Sequence, residues 1–124
     1  MHELSICRGL LAQVERAAEA NGAHHVSRVT VRIGALSGVE PELLRRAFEV
    51  ARQGGHARAA VLDIIEVPVS VRCEACGAMG VVTSGNLACP DCGNWRVELV
   101  AGDELLLESI ELDEQDTVDA EEVA

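Results

Sequence analysis

Apolar positions recur along this chain first at helical and then at strand spacing. Leu4, Cys7, Leu11, Val14 and Ala18 fall on one face of a helix over 4–21, with Leu10 and Ala17 beside them. Arg8, Glu15, Arg16 and Glu19 cover its other side, and Asn21-Gly22 is a stop signal. Val26–Ile33 then alternates, Val29, Val31 and Ile33 against Thr30 and Arg32, and reads as a strand. After the turn Gly34–Gly38, Pro41 stands where a first helical residue should, flanked by Glu40 and Glu42. Leu43, Leu44, Ala47, Phe48 and Ala51 form the stripe of a second helix that ends at Gly54-Gly55.

Ala60–Val69 reads as a second long strand, buried on both faces near its middle, with Pro68 at a sheet edge or ending regular pairing. Glu104–Leu112 is a third strand whose apolar face switches near Glu108, as at a bulge. Between them lies a segment of different character, roughly 70–100. The predicted architecture is therefore α+β: two helices on a small three-stranded mixed sheet, with an inserted module. The helical crossover suits a parallel first pair, and the third strand returns antiparallel. The expected domains are 1–69 with 101–112, then 70–100, then an acidic tail over 113–124 that reads as disordered.

The inserted segment holds Cys73-Glu74-Ala75-Cys76 and Cys89-Pro90-Asp91-Cys92, each followed by a glycine, Gly77 and Gly93. Two cysteines three positions apart can point inward around one tight turn, and the glycine accepts the bend. Two such knuckles supply four thiolates for a tetrahedral zinc ion, as in a zinc-ribbon or rubredoxin-like module. Val81–Leu87 reads as strand, turn, strand between them. Two disulfides are the rival reading, but no segment resembles an export signal. A redox pair would not need a second pair at this spacing. Four protein ligands close the coordination sphere, so the role is structural.

Composition narrows the function. The formal net charge is −11, with no lysine. Residues 111–124 carry seven acids and no base, and without them ten arginines face fourteen acids. Phe48 and Trp95 are the aromatic residues. Nucleic-acid binding wants a basic face and stacking platforms, and neither is present. No apolar run is long enough to span a membrane. The expectation is a soluble cytoplasmic protein with no nucleic-acid or membrane partner. A weak homodimer is compatible with it.

Four blocks in order, Met1-His2-Glu3-Leu4-Ser5, Val31–Pro41 (VRIGALSGVEP), the two CxxC pairs, and Leu107-Glu108-Ser109-Ile110-Glu111-Leu112, resemble the HypA/HybF family of nickel metallochaperones. The resemblance runs from residue 1 to about 112. It implies a nickel-binding α/β domain with nickel held at Met1, His2 and Glu3, and structural zinc held by Cys73, Cys76, Cys89 and Cys92. It also implies a partner GTPase of the HypB type, delivery to the precursor of the hydrogenase large subunit in hydrogenase maturation, service to urease in some organisms, and no enzymatic activity.

Without that resemblance, His2 and Glu3 would read as a frayed terminus. The chemistry nonetheless allows a site. A free α-amine, the His2 imidazole and the His2 and Glu3 amide nitrogens could form the four-nitrogen plane that Ni(II) accepts. Those amides head a helix and have no intrahelical acceptor, so their loss breaks no ladder bond. The Glu3 carboxylate could add an axial ligand or simply favour the helix start. Cys7, on the apolar stripe, reads as a buried thiol rather than a soft nickel ligand. His24, His25 and His56 fall in turns or loops, and Trp95 is expected to pack on the zinc module. A zinc-ribbon docking adaptor without specific nickel binding is the alternative function.

Overall fold

The computed structural model describes residues 2–112 of the 124. Met1 and the acidic tail 113–124 lie outside the described residues. The elements run α1 (His2–Ala20), β1 (Val26–Gly34), α2 (Pro41–Ala51), β2 (Val61–Val67), β3 (Val69–Cys73), β4 (Met79–Val82), β5 (Val97–Ala101) and β6 (Leu105–Leu112). They form two three-stranded sheets, ordered β2-β1-β6 and β4-β3-β5.

The first sheet is mixed. Ser27 and Arg28 meet Glu111 at one end of β1, while the Gly34 N–H donates to the Glu104 carbonyl at the other, so β6 runs antiparallel to β1. Arg28 pairs with Asp63 and the Ala35 N–H reaches the Val67 carbonyl, so β2 runs parallel to β1.

The chain divides into two compact units. The first takes in residues up to Val31, Glu40–Ile64 and residues from Leu106 on. Here α1 buries Glu3, Cys7, Leu11, Val14 and Ala18, the stripe expected from the sequence except that Leu4 is half-buried and Glu3 is buried in its place. Cys7, Leu10, Leu11 and Val14 meet Val29 and Val31 of β1, Leu44 and Phe48 of α2, and Leu62 of β2 around one apolar seam. Pro41 opens α2 as expected, with Glu40 in extended backbone before it. The second unit comprises Arg32–Val39 and Ile65–Leu105. The turn after β1 belongs to it because the Ala35 and Leu36 N–H groups donate to Val67 and Gly102 carbonyls.

Three expectations are corrected. The strand expected over Ala60–Val69 is two strands that join different sheets. Proline at 68 has no N–H to give a ladder, and pairing stops there and resumes at Val69. Nor is β2 buried on both faces. Its burial alternates up to Ile65, and Val61 and Ile65 are exposed. Lastly, the segment between the cysteine pairs is not a strand–turn–strand over Val81–Leu87. β4 stops at Val82, and only an isolated Thr83–Asn86 bridge follows. The second sheet is instead centred on β3, which pairs antiparallel with β4 and β5. The switch of face in β6 is present, with Glu108 and Ser109 exposed in succession.

Candidate metal centre

Each CxxC pair folds into the same knuckle. The Gly77 N–H donates to the Cys73 carbonyl at 2.9 Å, and the Gly93 N–H to the Cys89 carbonyl at 2.9 Å. The pairing is closed by Cys73 N–H to Ala78 O at 2.8 Å and Cys89 N–H to Asn94 O at 3.0 Å. Gly77 and Gly93 both have φ +77°, a left-handed conformation that a side chain would strain. The turn aims backbone N–H groups at sulfur. Cys73 Sγ accepts from Ala75 at 3.3 Å and Cys76 at 3.4 Å, and Cys89 Sγ from Asp91 and Cys92, both at 3.4 Å.

β3 delivers Cys73 from the centre of its sheet, and the second knuckle approaches over β4. Gly80 makes that approach possible, because a Cβ there would stand 2.7 Å from Pro90 Cγ. The four Sγ atoms lie within 4.8 Å of one another, with Cys73–Cys92 and Cys76–Cys89 each at 3.6 Å. A disulfide would need about 2.05 Å. Sulfurs on one tetrahedral zinc at Zn–S of about 2.3 Å stand roughly 3.8 Å apart. The residues present fit a tetrathiolate zinc ion and not two disulfides.

The two positions of each knuckle differ. Cys73 and Cys89 are buried, and Cys76 and Cys92 are exposed. The Cys76 N–H, helped by that of Ala75, holds the Cys73 thiol below its usual range. In the same way the Cys92 N–H, followed by Asp91, lowers Cys89 to about 7. Cys76 receives the Ala78 N–H, which favours its thiolate, but the hydrogen bond with Cys89, partial desolvation of the sulfur and the other two sulfurs outweigh that and raise it to about 12. Cys92 is likewise raised: the Asn94 N–H is outweighed by the hydrogen bond with Cys73 and partial desolvation of the sulfur. Without metal the centre is thus two thiols inclined to ionise and two inclined to stay protonated.

At the other end of the chain, His2 is exposed on the first turn of α1. Glu3 is 9% exposed, and its Oε2 accepts the Glu40 N–H at 3.4 Å. Its carboxyl sits below the usual range, chiefly through its own backbone N–H, against burial, with help from Glu40 and the charge of His2. Met1, the third expected nickel ligand, lies outside the described residues. Cys7 is 1% exposed, and burial raises its thiol to about 11. It is a core residue. Trp95, expected to pack on the cysteine module, borders a shallow depression with Val81 and Pro90 but is 72% exposed. The knuckle it follows is too small to cover an indole.

Sequence reasoning missed the N–H donors Ala75 and Asp91 and the anchoring of Glu3 by Glu40. The CxxC pattern implies the former. Nothing in the spacing signals the latter. It also missed a group formed by Glu15, Glu19 and His56, whose ligand atoms lie within 4.8 Å of one another. A Glu pair four residues apart was legible on the polar side of α1, but its histidine is 41 positions away.

No helix of the described residues is long and apolar enough to cross a membrane. Residues 1–112 match the family model described as hydrogenase/urease nickel incorporation, metallochaperone, hypA. The chain is 45% identical over 112 residues to a hydrogenase maturation factor HypA of Nitrosospira multiformis, covering 90% of this chain and 97% of that one. It is 41% identical over 113 residues to that of Acidithiobacillus ferrooxidans, covering 91% and 100%. Among solved structures, the solution structure of the Ni metallochaperone HypA from Helicobacter pylori superposes with a TM-score of 0.63 at 31% identity, covering 89% of this chain and 96% of that one. The knuckles, the two sheets and the match over residues 1–112 agree: this chain belongs to the HypA family of hydrogenase maturation nickel metallochaperones.

Proposed function

We propose that this protein binds one Ni(II) at its N-terminus and passes it on for hydrogenase maturation, and for urease where that enzyme is present. The Met1 amine, the His2 imidazole and the His2 and Glu3 amide nitrogens form the nickel plane. The observation that carries this reading is the placement of His2 and Glu3. His2 is exposed at the head of α1, and Glu3 is fixed beneath it through Glu40. An anchored Glu3 beside an open His2 gives the site one rigid edge and one free edge, which suits a cargo that must be released.

Cys73, Cys76, Cys89 and Cys92 hold zinc, which closes the module and takes no part in chemistry. Residues 1–69 with 101–112 form the nickel-binding domain, and 70–100 the zinc-binding domain. The partners are a HypB-type GTPase and the hydrogenase large-subunit precursor, met in the cytoplasm, and the protein is not itself an enzyme.

Nickel titration of zinc-loaded, tag-free protein tests the reading, beside His2→Ala and a version extended at the N-terminus. One site with square-planar absorbance bands, lost in both variants, is expected. Equal binding in all three would move nickel elsewhere. Absence of binding would favour a docking adaptor, a role for which the exposed Met79, Val81 and Trp95 offer a surface.

A further inference from the structure

We propose a second metal site at Glu15, Glu19 and His56, one that takes a first-row divalent cation such as nickel, cobalt or zinc. Two carboxylates and one imidazole come together from elements far apart in the chain, with their ligand atoms all within 4.8 Å. Glu15 and Glu19 stand four residues apart on α1 and so share a face. His56 comes from the loop that follows α2.

That loop is fixed by its backbone, independently of the ring. The His56 N–H donates to Glu15 Oε2 at 2.8 Å, and the His56 carbonyl accepts the Val26 N–H at 2.9 Å. One oxygen of Glu15 is thereby occupied, and the other, Oε1, faces His56 Nδ1. Gly55 leaves the room for this arrangement, since a Cβ there would stand 2.9 Å from Glu15 Oε2. The result is an oriented carboxylate, an oriented imidazole and a second carboxylate that can swing in. A carboxylate hydrogen-bonded by a backbone N–H while it ligates is the usual support of a metal site.

The ligand chemistry sets the metal class. Ligand atoms at about 2.1 Å from one ion stand about 3 Å apart at right angles. The three ligand atoms, already within 4.8 Å of one another, would need to close to that spacing around the ion. One imidazole nitrogen with two carboxylate oxygens suits nickel, cobalt or zinc better than magnesium or calcium. Like charges four apart on a helix repel, and a cation between them removes that penalty. Glu15 is thirteen residues from His2, or roughly 20 Å along α1, so the two sites cannot share an ion. His56 and Glu15 are half-buried and Glu19 is exposed, so the ion has an entry path.

The test uses the full zinc-loaded chain with His2→Ala and an extended N-terminus, so that the proposed nickel site cannot contribute. Cobalt(II) is titrated in and followed by amide NMR. One equivalent should broaden the resonances of Glu15, Glu19, Gly55 and His56 first, without the intense thiolate absorbance that exchange into the cysteine centre would give. Glu19→Gln and Glu15→Gln should each weaken binding at least tenfold. In Glu15→Gln the side-chain amide oxygen can still accept the His56 N–H, so the amide spectrum of that variant reports whether the loop has stayed in place. Broadening centred on His24 and His25, or binding unchanged in both variants, would overturn the proposal and leave Glu15–His56 an ordinary hydrogen-bonded pair. Ten millimolar magnesium should not compete with cobalt. If it does, the metal class is wrong.

Discussion

Gly34 and Gly102 close against each other where β1 ends and β5 has just turned. A Cβ on Gly34 would collide with the Gly102 carbonyl and stand 2.7 Å from Asp103 N. Gly102 has φ +121°, and a Cβ there would stand 2.7 Å from Val69 Cα. Backbone atoms cannot rotate away as a side-chain tip can. Gly34→Ala and Gly102→Ala should therefore each cost about 3 kcal/mol or more in urea unfolding, whereas Gly9→Ala, which meets open space on α1, should stabilise by up to about 1 kcal/mol. The neighbouring Glu104 supplies a pH signature. Its carboxyl sits below 4.5, held there first by its own N–H and then by the Gly102 N–H at 2.6 Å, with Arg32 adding to this. A lowered carboxyl binds fewer protons folded than unfolded, so its stabilisation is full above about 4.5 and fades as the pH falls through the lower folded value. The stability gap between the native protein and Glu104→Gln should accordingly shrink between pH 6 and pH 3. None of this was legible in the sequence beyond the presence of turns. Glycine reads as a bend locally, and what demands it here is a backbone 68 positions away.

The helices were legible because their signals are local. A five-residue apolar stripe and Asn21-Gly22 set α1, and Pro41 and Leu44 set α2. Leu44 is 1% exposed and sits in the seam beneath α1, while its neighbour Leu43 is 46% exposed, a distinction that composition cannot make. Leu44→Ala should cost about 2–5 kcal/mol in thermal or urea unfolding, and Leu43→Ala less than about 1 kcal/mol. The strands were less legible. Residues 61–73 read as one strand-like stretch rich in β-branched residues, interrupted by Asp63, Glu66, Ser70 and Arg72, and only Pro68 marks that it serves two sheets. β5, with Glu98 second and Leu99 and Val100 exposed, has no clear alternation to announce it. It pairs with β3 from 26 residues away, with Arg72 opposite Glu98 and a register shift between Ser70 and Val71. The four cysteines were the opposite case. Each knuckle is encoded within five residues, so the donor set could be named from spacing, although its cross-pairing of Cys73 with Cys92 and Cys76 with Cys89 could not.

At the scale of the molecule, two kinds of cohesion coexist. The unit built on α1, α2 and their strands holds together by an apolar seam. The unit around the cysteines buries Ile33, Val39, Val67, Val69, Val71, Cys73 and Cys89 but leaves Met79, Val81, Trp95 and Val100 exposed, and the proposed zinc would add to its cohesion. Chelation should therefore act locally. Amide dispersion should collapse over residues 70–101 while the resonances of α1 and α2 persist, and re-addition of zinc should restore the spectrum. Proton release gives the sharper check. The metal takes four thiolates, and the raised Cys76 and Cys92 are protonated at pH 7, whereas Cys73 and Cys89 are poised lower. Zinc uptake at pH 7 should then expel at least two protons per ion, visible as a dependence of the calorimetric enthalpy on the ionisation enthalpy of the buffer. Because the metal-free form binds more protons than the loaded one, affinity must rise with pH, by at least a hundredfold per unit near neutrality. Uptake with fewer than two protons released would mean that Cys76 and Cys92 are already ionised in the metal-free protein. The asymmetry between inner and outer cysteines, which rests on which sulfurs receive two N–H groups, would then be wrong.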